Sequence, residues 1–320
     1  MNNEIRRNGM IPGIWFEFEV TTKGSAMFEA EYDHMHLTRG GRVLKTNDFR
    51  SYWDFRRSDV REYLHEKVIN FLKKYNFGYI KVDYNANIGH MVDGAESGAE
   101  ALRQHLEAVR DFFAEMKREI PDLIIENCAS GGHRLEPSMM AMGAVSSFSD
   151  AHECVEIPYI AANLHRLMLP AQELIWAVLH DDDSNDRLAY SLAATFLGRM
   201  CLSAKMDTFS AEQLEVVNNA ISFYRLLDDV IINGDSKIYG NRGRNTRYPI
   251  GTQSVVRKTD KEMLVVCHSF ENPCEEFSIE IPKNAKIKAS FCGDRLKLSD
   301  GKLTVNKMNP FTAGAVLLEI

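Results

Sequence analysis

Residues 78–85 read Gly78-Tyr79-Ile80-Lys81-Val82-Asp83-Tyr84-Asn85. Tyr79, Ile80 and Val82 make a short β-branched and aromatic run, opened by a glycine and closed by polar residues, which predicts a buried strand. On a strand Lys81 and Asp83 point to the same face. A lysine and an aspartate at the end of a buried strand are costly unless they are paired or used. Two further stretches end in the same way. Glu126-Asn127-Cys128-Ala129-Ser130-Gly131-Gly132-His133-Arg134 follows the apolar run Leu123-Ile124-Ile125, and Val145-Ser146-Ser147-Phe148-Ser149-Asp150 closes on an aspartate. The expectation is that the chain brings Asp83 and Asp150 to one mouth.

Working outward, Ile11 to Val20 predicts a strand in which Trp15, Glu17 and Glu19 share a face. An aromatic and two acids on one face suit polar material such as a sugar or a barrel interior. A core aromatic is the secondary reading of Trp15, since large aromatics are mostly buried. Residues 21–50 read as a long polar loop of the kind that forms lids. Within it, His34 and His36 lack further metal-ligand spacing and read as a solvated loop. A helix is expected from Ser58 to Tyr75 and another from about Ser97 to Glu119, with Leu102, Leu106, Val109 and Phe113 as its apolar stripe. Strand, loop and helix alternate up to about residue 228, the α/β signature. Chemistry-bearing residues sit just after the strands, as in a (β/α)8 TIM-type barrel with its site at the carboxy-terminal face. From about residue 229 short alternating strands separated by turn signals predict an all-β module, an antiparallel sandwich. The expected domains are therefore 1–228 and 229–320.

Composition narrows the function class. The 320 residues are 45% hydrophobic and 26% charged, those of a globular protein with a full core. A net charge of −7 argues against nucleic-acid or anionic-membrane partners. No apolar run approaches a membrane span and the first residues carry no signal-peptide pattern. The six cysteines, Cys128, Cys154, Cys201, Cys267, Cys274 and Cys292, are scattered without a C-x-x-C, and read as reduced thiols of a cytoplasmic protein. The acidic run His180-Asp181-Asp182-Asp183-Ser184-Asn185-Asp186 lacks the glycine and terminal glutamate of a calcium loop, so Ser184 or Asn185 reads as a helix cap.

Taken together, the motifs resemble the α-galactosidases of glycoside hydrolase family 36. The family's K-W-D-x-N strand is matched by Lys81-Val82-Asp83-Tyr84-Asn85, and its E-x-C-x-G-G-G-G-R stretch by residues 126–134. Its W-x-S-D segment is similar to Ser147-Phe148-Ser149-Asp150, and its G-L-W-F-E-P-E strand to Gly13-Ile14-Trp15-Phe16-Glu17-Phe18-Glu19. Asp54 with Val60-Arg61-Glu62-Tyr63-Leu64 falls where the family has a strand followed by V-R-D-Y-L. Val82 replaces the family's usual tryptophan, and His133 one of its glycines.

The resemblance implies a retaining glycosidase with Asp83 as nucleophile and Asp150 as general acid/base. Trp15, Arg50, Lys81, Asn85, Cys128 and Gly131 would bind the sugar, with no cofactor and no metal. The substrates implied are small α-galactosides of the melibiose and raffinose type. The same chemistry on α-N-acetylgalactosaminides, or a sugar-binding remnant without catalysis, stand as alternatives. Lys81 beside Asp83 is expected to keep it ionised by opposite charge, and Asp150, among uncharged neighbours, is the candidate for a raised pKa. A retaining pair is expected about 5–5.5 Å apart. The Trp15 strand corresponds to the family's second barrel strand. The first strand and the amino-terminal sandwich are therefore expected to lie outside this chain, and open barrel edges would favour a homo-oligomer.

Overall fold

A computed structural model describes residues 1–46, 49–150, 155–240, 247–306 and 308–320. The chain divides into two compact units, Met1–Phe148 and Ser149–Ile320.

In the first unit four parallel strands pair side by side in the order Gly13–Phe16, Tyr79–Val82, Ile124–Asn127 and Val145–Ser147. Register sets Trp15 beside Lys81 and Lys81 beside Glu126. Those three therefore share a face, while Ile80, Val82 and Ile125 point to the other. That second face is covered by two helical segments. Ser58–Leu64 continues through a π-helical stretch, His65–Asn70, into Phe71–Tyr75, and the left-handed Asn76 (φ 56°) ends it. Gly98–Glu119 starts at Ser97, whose hydroxyl accepts the Glu100 amide at 3.1 Å. The core joins Leu64, Val68 and Leu72 to Ile80, Val82, Ile125, Phe112, Phe113 and Met116. Burying each such side chain contributes about 1.5–3 kcal/mol.

Three expectations change here. The stripe of the second helix is rotated, so that Ala101, His105, Val109, Phe112, Phe113 and Met116 are buried and Leu106 is exposed. His105 enters the core edge-on against Phe55, and burial pushes its imidazole down to about 4. Residues 21–50 are not one open loop. They hold two 3-10 turns, Ala26–Phe28 and Ala30–Met35, and short strands, of which Val20–Thr22 and Lys45–Thr46 flank Arg50–Tyr52. His36 is buried, not solvated: it stacks on Trp53 and meets the Thr21 hydroxyl at 3.0 Å.

The second unit carries two parallel strands, Glu173–Val178 and Arg199–Ser203. Its helices are Ile157–Leu164, Asn185–Ala194, Ala211–Tyr224 and Asp228–Asn233. Ser184 caps the second of these, and Ser210 with Gln213 forms a capping box on the third. A five-stranded antiparallel sheet follows, in the order Asp235–Tyr239, Thr252–Lys258, Glu262–Ser269, Ala313–Glu319 and Lys286–Phe291. A three-stranded sheet runs Glu276–Glu280, Lys302–Asn306, Leu296–Ser299. Val256, Val265, Cys267, Val316 and Leu318 of the larger sheet share one core with Ile279, Leu296, Leu303 and Val305 of the smaller. The boundary expected at 228/229 falls inside this unit, at the start of its last helix.

Candidate active site

Asp83 is the residue directly after the Tyr79–Val82 strand, and its N–H still bonds the Phe16 carbonyl at 2.8 Å. The ladder thus holds its backbone on one side while its side chain leaves the sheet. The carboxylate is 9% exposed. The Trp15 indole N–H donates to Oδ2 at 3.2 Å, the Tyr84 N–H to Oδ1 at 2.8 Å and the Ser130 N–H to Oδ1 at 3.4 Å. Burial pushes the carboxyl up, but hydrogen bonds from the Asn85 side chain, the Cys128 thiol, Trp15 and the Tyr84 N–H outweigh it. Asp83 is therefore held below the usual aspartate range.

This differs from the source of charge read in the sequence. Lys81 Nζ pairs with Glu126 Oε1 at 3.2 Å and donates to the Ser147 hydroxyl at 3.3 Å. Glu126 is buried and also accepts from the Tyr79 and Ser147 hydroxyls. Neutral donors, rather than the lysine, head the groups that keep Asp83 ionised. Cys128 is one of them. Burial pushes its thiol up to about 12, so it donates as a neutral S–H.

The loop after Cys128 is shaped by backbone that glycine favours. Ser130 (φ 45°) and Gly131 (φ 79°) are both left-handed, and a Cβ on Gly132 would sit 2.6 Å from the Phe148 carbonyl oxygen. Ser130 stands where the quoted family stretch has a glycine, a departure additional to His133. Its hydroxyl donates to Asn85 Oδ1 at 2.8 Å. Asn85 is pinned from below: its N–H donates to Glu17 Oε1 at 2.8 Å and its carbonyl accepts from Arg50 at 2.7 Å. Arg50 also pairs with Glu17 at 3.0 Å. Arg134 closes the loop with a two-pronged bond to Glu19, at 2.6 and 2.8 Å, while its guanidinium lies 3.7 Å over the Tyr84 ring.

Seven of the eight residues singled out in the sequence thus gather around one carboxylate: Asp83 with Trp15, Arg50, Lys81, Asn85, Cys128 and Gly131. Trp15 is not core. It is 52% exposed, leaving much of its ring open to a ligand while its N–H is committed to Asp83. The eighth residue, Asp150, is exposed near the start of the second unit, next to residues 151–154, which lie outside the described residues together with Cys154. Glu126, Ser130 and Ser147 were missed as partners. Glu126 opens the matched stretch, but only strand register shows that it faces Lys81. Among the described residues no cluster of His, Cys, Asp and Glu is arranged to hold a metal ion, and no helix is long and apolar enough to cross a membrane.

Known proteins resemble this chain in sequence and in fold. The curated relatives include alpha-galactosidase 2 of Pediococcus pentosaceus, 22% identical over 263 residues, covering 80% of this chain and 36% of the relative. Another is alpha-galactosidase AgaA of Geobacillus stearothermophilus, 24% identical over 163 residues, covering 49% of this chain and 22% of the relative. Among solved structures, a doubly substituted variant of that enzyme in complex with raffinose superposes with a TM-score of 0.82 at 15% identity, over 100% of this chain and 46% of that one. The galactosidase domain of the alpha-galactosidase–sucrose kinase AgaSK gives a TM-score of 0.78 at 15% identity, over 100% of this chain and 45% of that one. The chain therefore spans less than half the length of these relatives and shares their fold. The melibiase family pattern matches residues 1–234, and the chain belongs to the melibiase family.

Proposed function

We propose that this chain carries the α-galactoside-hydrolysing chemistry of its family by a retaining, two-step mechanism. The observation that supports this most is Asp83: a buried carboxylate at the carboxy-terminal end of a parallel strand, kept ionised by hydrogen-bond donors and set beside a half-exposed indole. An ionised, oriented carboxylate is what attack on an anomeric carbon requires. Asp83 forms a bond to that carbon as the bond to the leaving oxygen breaks, and Asp150 gives that oxygen its proton. Asp150 then takes a proton from water, which attacks the anomeric carbon and frees Asp83.

Lys81, held by Glu126, and Arg50, held by Glu17, supply fixed donors for sugar hydroxyls, and the Trp15 face supplies an apolar platform. The Asn85 amide, Cys128 and the Gly131 backbone complete the wall. The melibiose- and raffinose-type substrates are supported by relatives named α-galactosidases and by the raffinose complex of the Geobacillus enzyme. On this reading residues 1–228 form barrel units and 229–320 a sandwich. A reducing, cytoplasmic setting for the thiols is part of this reading.

The test follows the anomeric proton of the first-formed sugar by NMR during hydrolysis of an aryl α-galactoside. Release of the α-anomer first supports the double displacement. Release of the β-anomer sinks it. A folded chain that turns over neither the galactoside nor the matched α-N-acetylgalactosaminide leaves the sugar-binding remnant as the reading.

A further inference from the structure

We propose that Ser130 is a positioning residue for the nucleophile: its hydroxyl fixes the rotation of the Asn85 amide so that the NH2 end faces Asp83. This deepens the hydrolase reading and rests on Asp83 being the nucleophile.

The first observation is strain. Ser130 sits at φ 45°, beside Gly131 at φ 79°, in a region that glycine takes freely and side chains avoid. Such backbone persists only where the surroundings over-determine it, and it clusters at functional sites. What a serine has and a glycine lacks is one hydroxyl, and that hydroxyl donates to Asn85 Oδ1 at 2.8 Å.

The second observation is what Asn85 has left to move. Its N–H is held by Glu17 and its carbonyl by Arg50, so the backbone on both sides is pinned. What remains is the side chain, whose last torsion exchanges the amide oxygen and the NH2 group. An amide carries one acceptor oxygen and two N–H donors. With the oxygen drawn to Ser130, the donors face Asp83, and the Asn85 hydrogen bond is the foremost of those that oppose the effect of burial on this carboxylate. Turned over, the amide oxygen would meet the carboxylate, acceptor against acceptor. Ser130 thus reaches the nucleophile twice, once through Asn85 and once through its own N–H at 3.4 Å.

A role in loop shape alone and a role in positioning make opposite predictions for two variants of the full chain. Ser130→Gly relieves the backbone and removes the hydroxyl, and Ser130→Ala removes the hydroxyl only. Three quantities are measured: the Asp83 titration midpoint by 13C-carboxyl NMR, which needs no turnover, the rate of labelling by a 2-fluoro α-galactosyl fluoride, and the melting temperature. Both variants are expected to raise the Asp83 midpoint and to slow labelling about tenfold, the weight of the Asn85 hydrogen bond to the charged Asp83 once the amide is free to turn. Ser130→Gly is expected to melt no lower than the parent. It carries the test even where Ser130→Ala fails to fold, because glycine accepts this backbone. A labelled parent whose Asp83 midpoint stays put in the glycine variant overturns the role of Ser130 alone. A folded parent that takes no label overturns Asp83 as nucleophile, and the role with it.

Discussion

Asp83 and Glu173 are both carboxylates taken out of water beside parallel strands, and they are driven in opposite directions. Asp83 follows the last residue of its strand and meets donors from Trp15, Tyr84, Asn85 and Cys128. Glu173 is the first residue of its strand, 0% exposed, with His165 Nε2 at 3.3 Å as its ion-pair partner. That imidazole nitrogen also faces the Leu197 carbonyl at 2.9 Å, and its other nitrogen meets Ser236 at 2.8 Å. Burial pushes Glu173 up to about 7, while Asp83 is held low despite its burial. Burial alone does not set a carboxyl's charge. The number of donors aimed at it does.

The two groups therefore pull stability in opposite senses with pH. Asp83 contributes stability above its unfolded value, near 3.9, and loses it as pH falls through its lower folded value. Glu173 contributes stability below about 4.3, its unfolded value, and loses it as pH rises toward about 7.

The largest expected effect breaks the comparison at Asp83. Asp83→Asn keeps the shape and removes the charge those donors are arranged to meet. Turnover of an aryl α-galactoside should fall by at least about a thousandfold, and a variant within tenfold of the parent removes Asp83 from the mechanism. Next comes Arg134→Ala, which strips Glu19 of its buried two-pronged partner and turns it into a second Glu173. Unfolding by denaturant at pH 8 should show a loss of about 3–5 kcal/mol. Glu173→Gln works from the other side: it should flatten the decline in stability between about pH 4.3 and 7 and make the chain more stable than the parent at pH 8. An unchanged slope would assign the titration to another group. Smallest is Ser97→Ala, which removes the cap of the Gly98–Glu119 helix. It should cost about 1 kcal/mol and leave the Asp83 titration where it is.

Much of this frame is legible in the residues themselves. The Tyr79–Val82 strand, the Ser97 cap and the polar residues after each strand are local signals, written in alternation and spacing. What escapes is what register decides. Lys81 and Asp83 are two residues apart, yet the partner of Lys81 is Glu126, 45 residues on, because parallel pairing sets the two side by side. His36 reads as solvated because nothing in a polar segment announces that it will stack on Trp53. Leu106 is apolar yet exposed because the buried His105 takes the core side of the helix beside it.

The proposed function stands or falls on Asp83 being an ionised nucleophile in a formed pocket. The measurement that tests it most directly is covalent labelling of the chain with a 2-fluoro α-galactosyl fluoride, read by intact mass and then by peptide mapping. One added fluorogalactosyl group is expected, mapped to Asp83 and absent in Asp83→Asn. A label on any other residue, or none on protein shown to be folded, would contradict it.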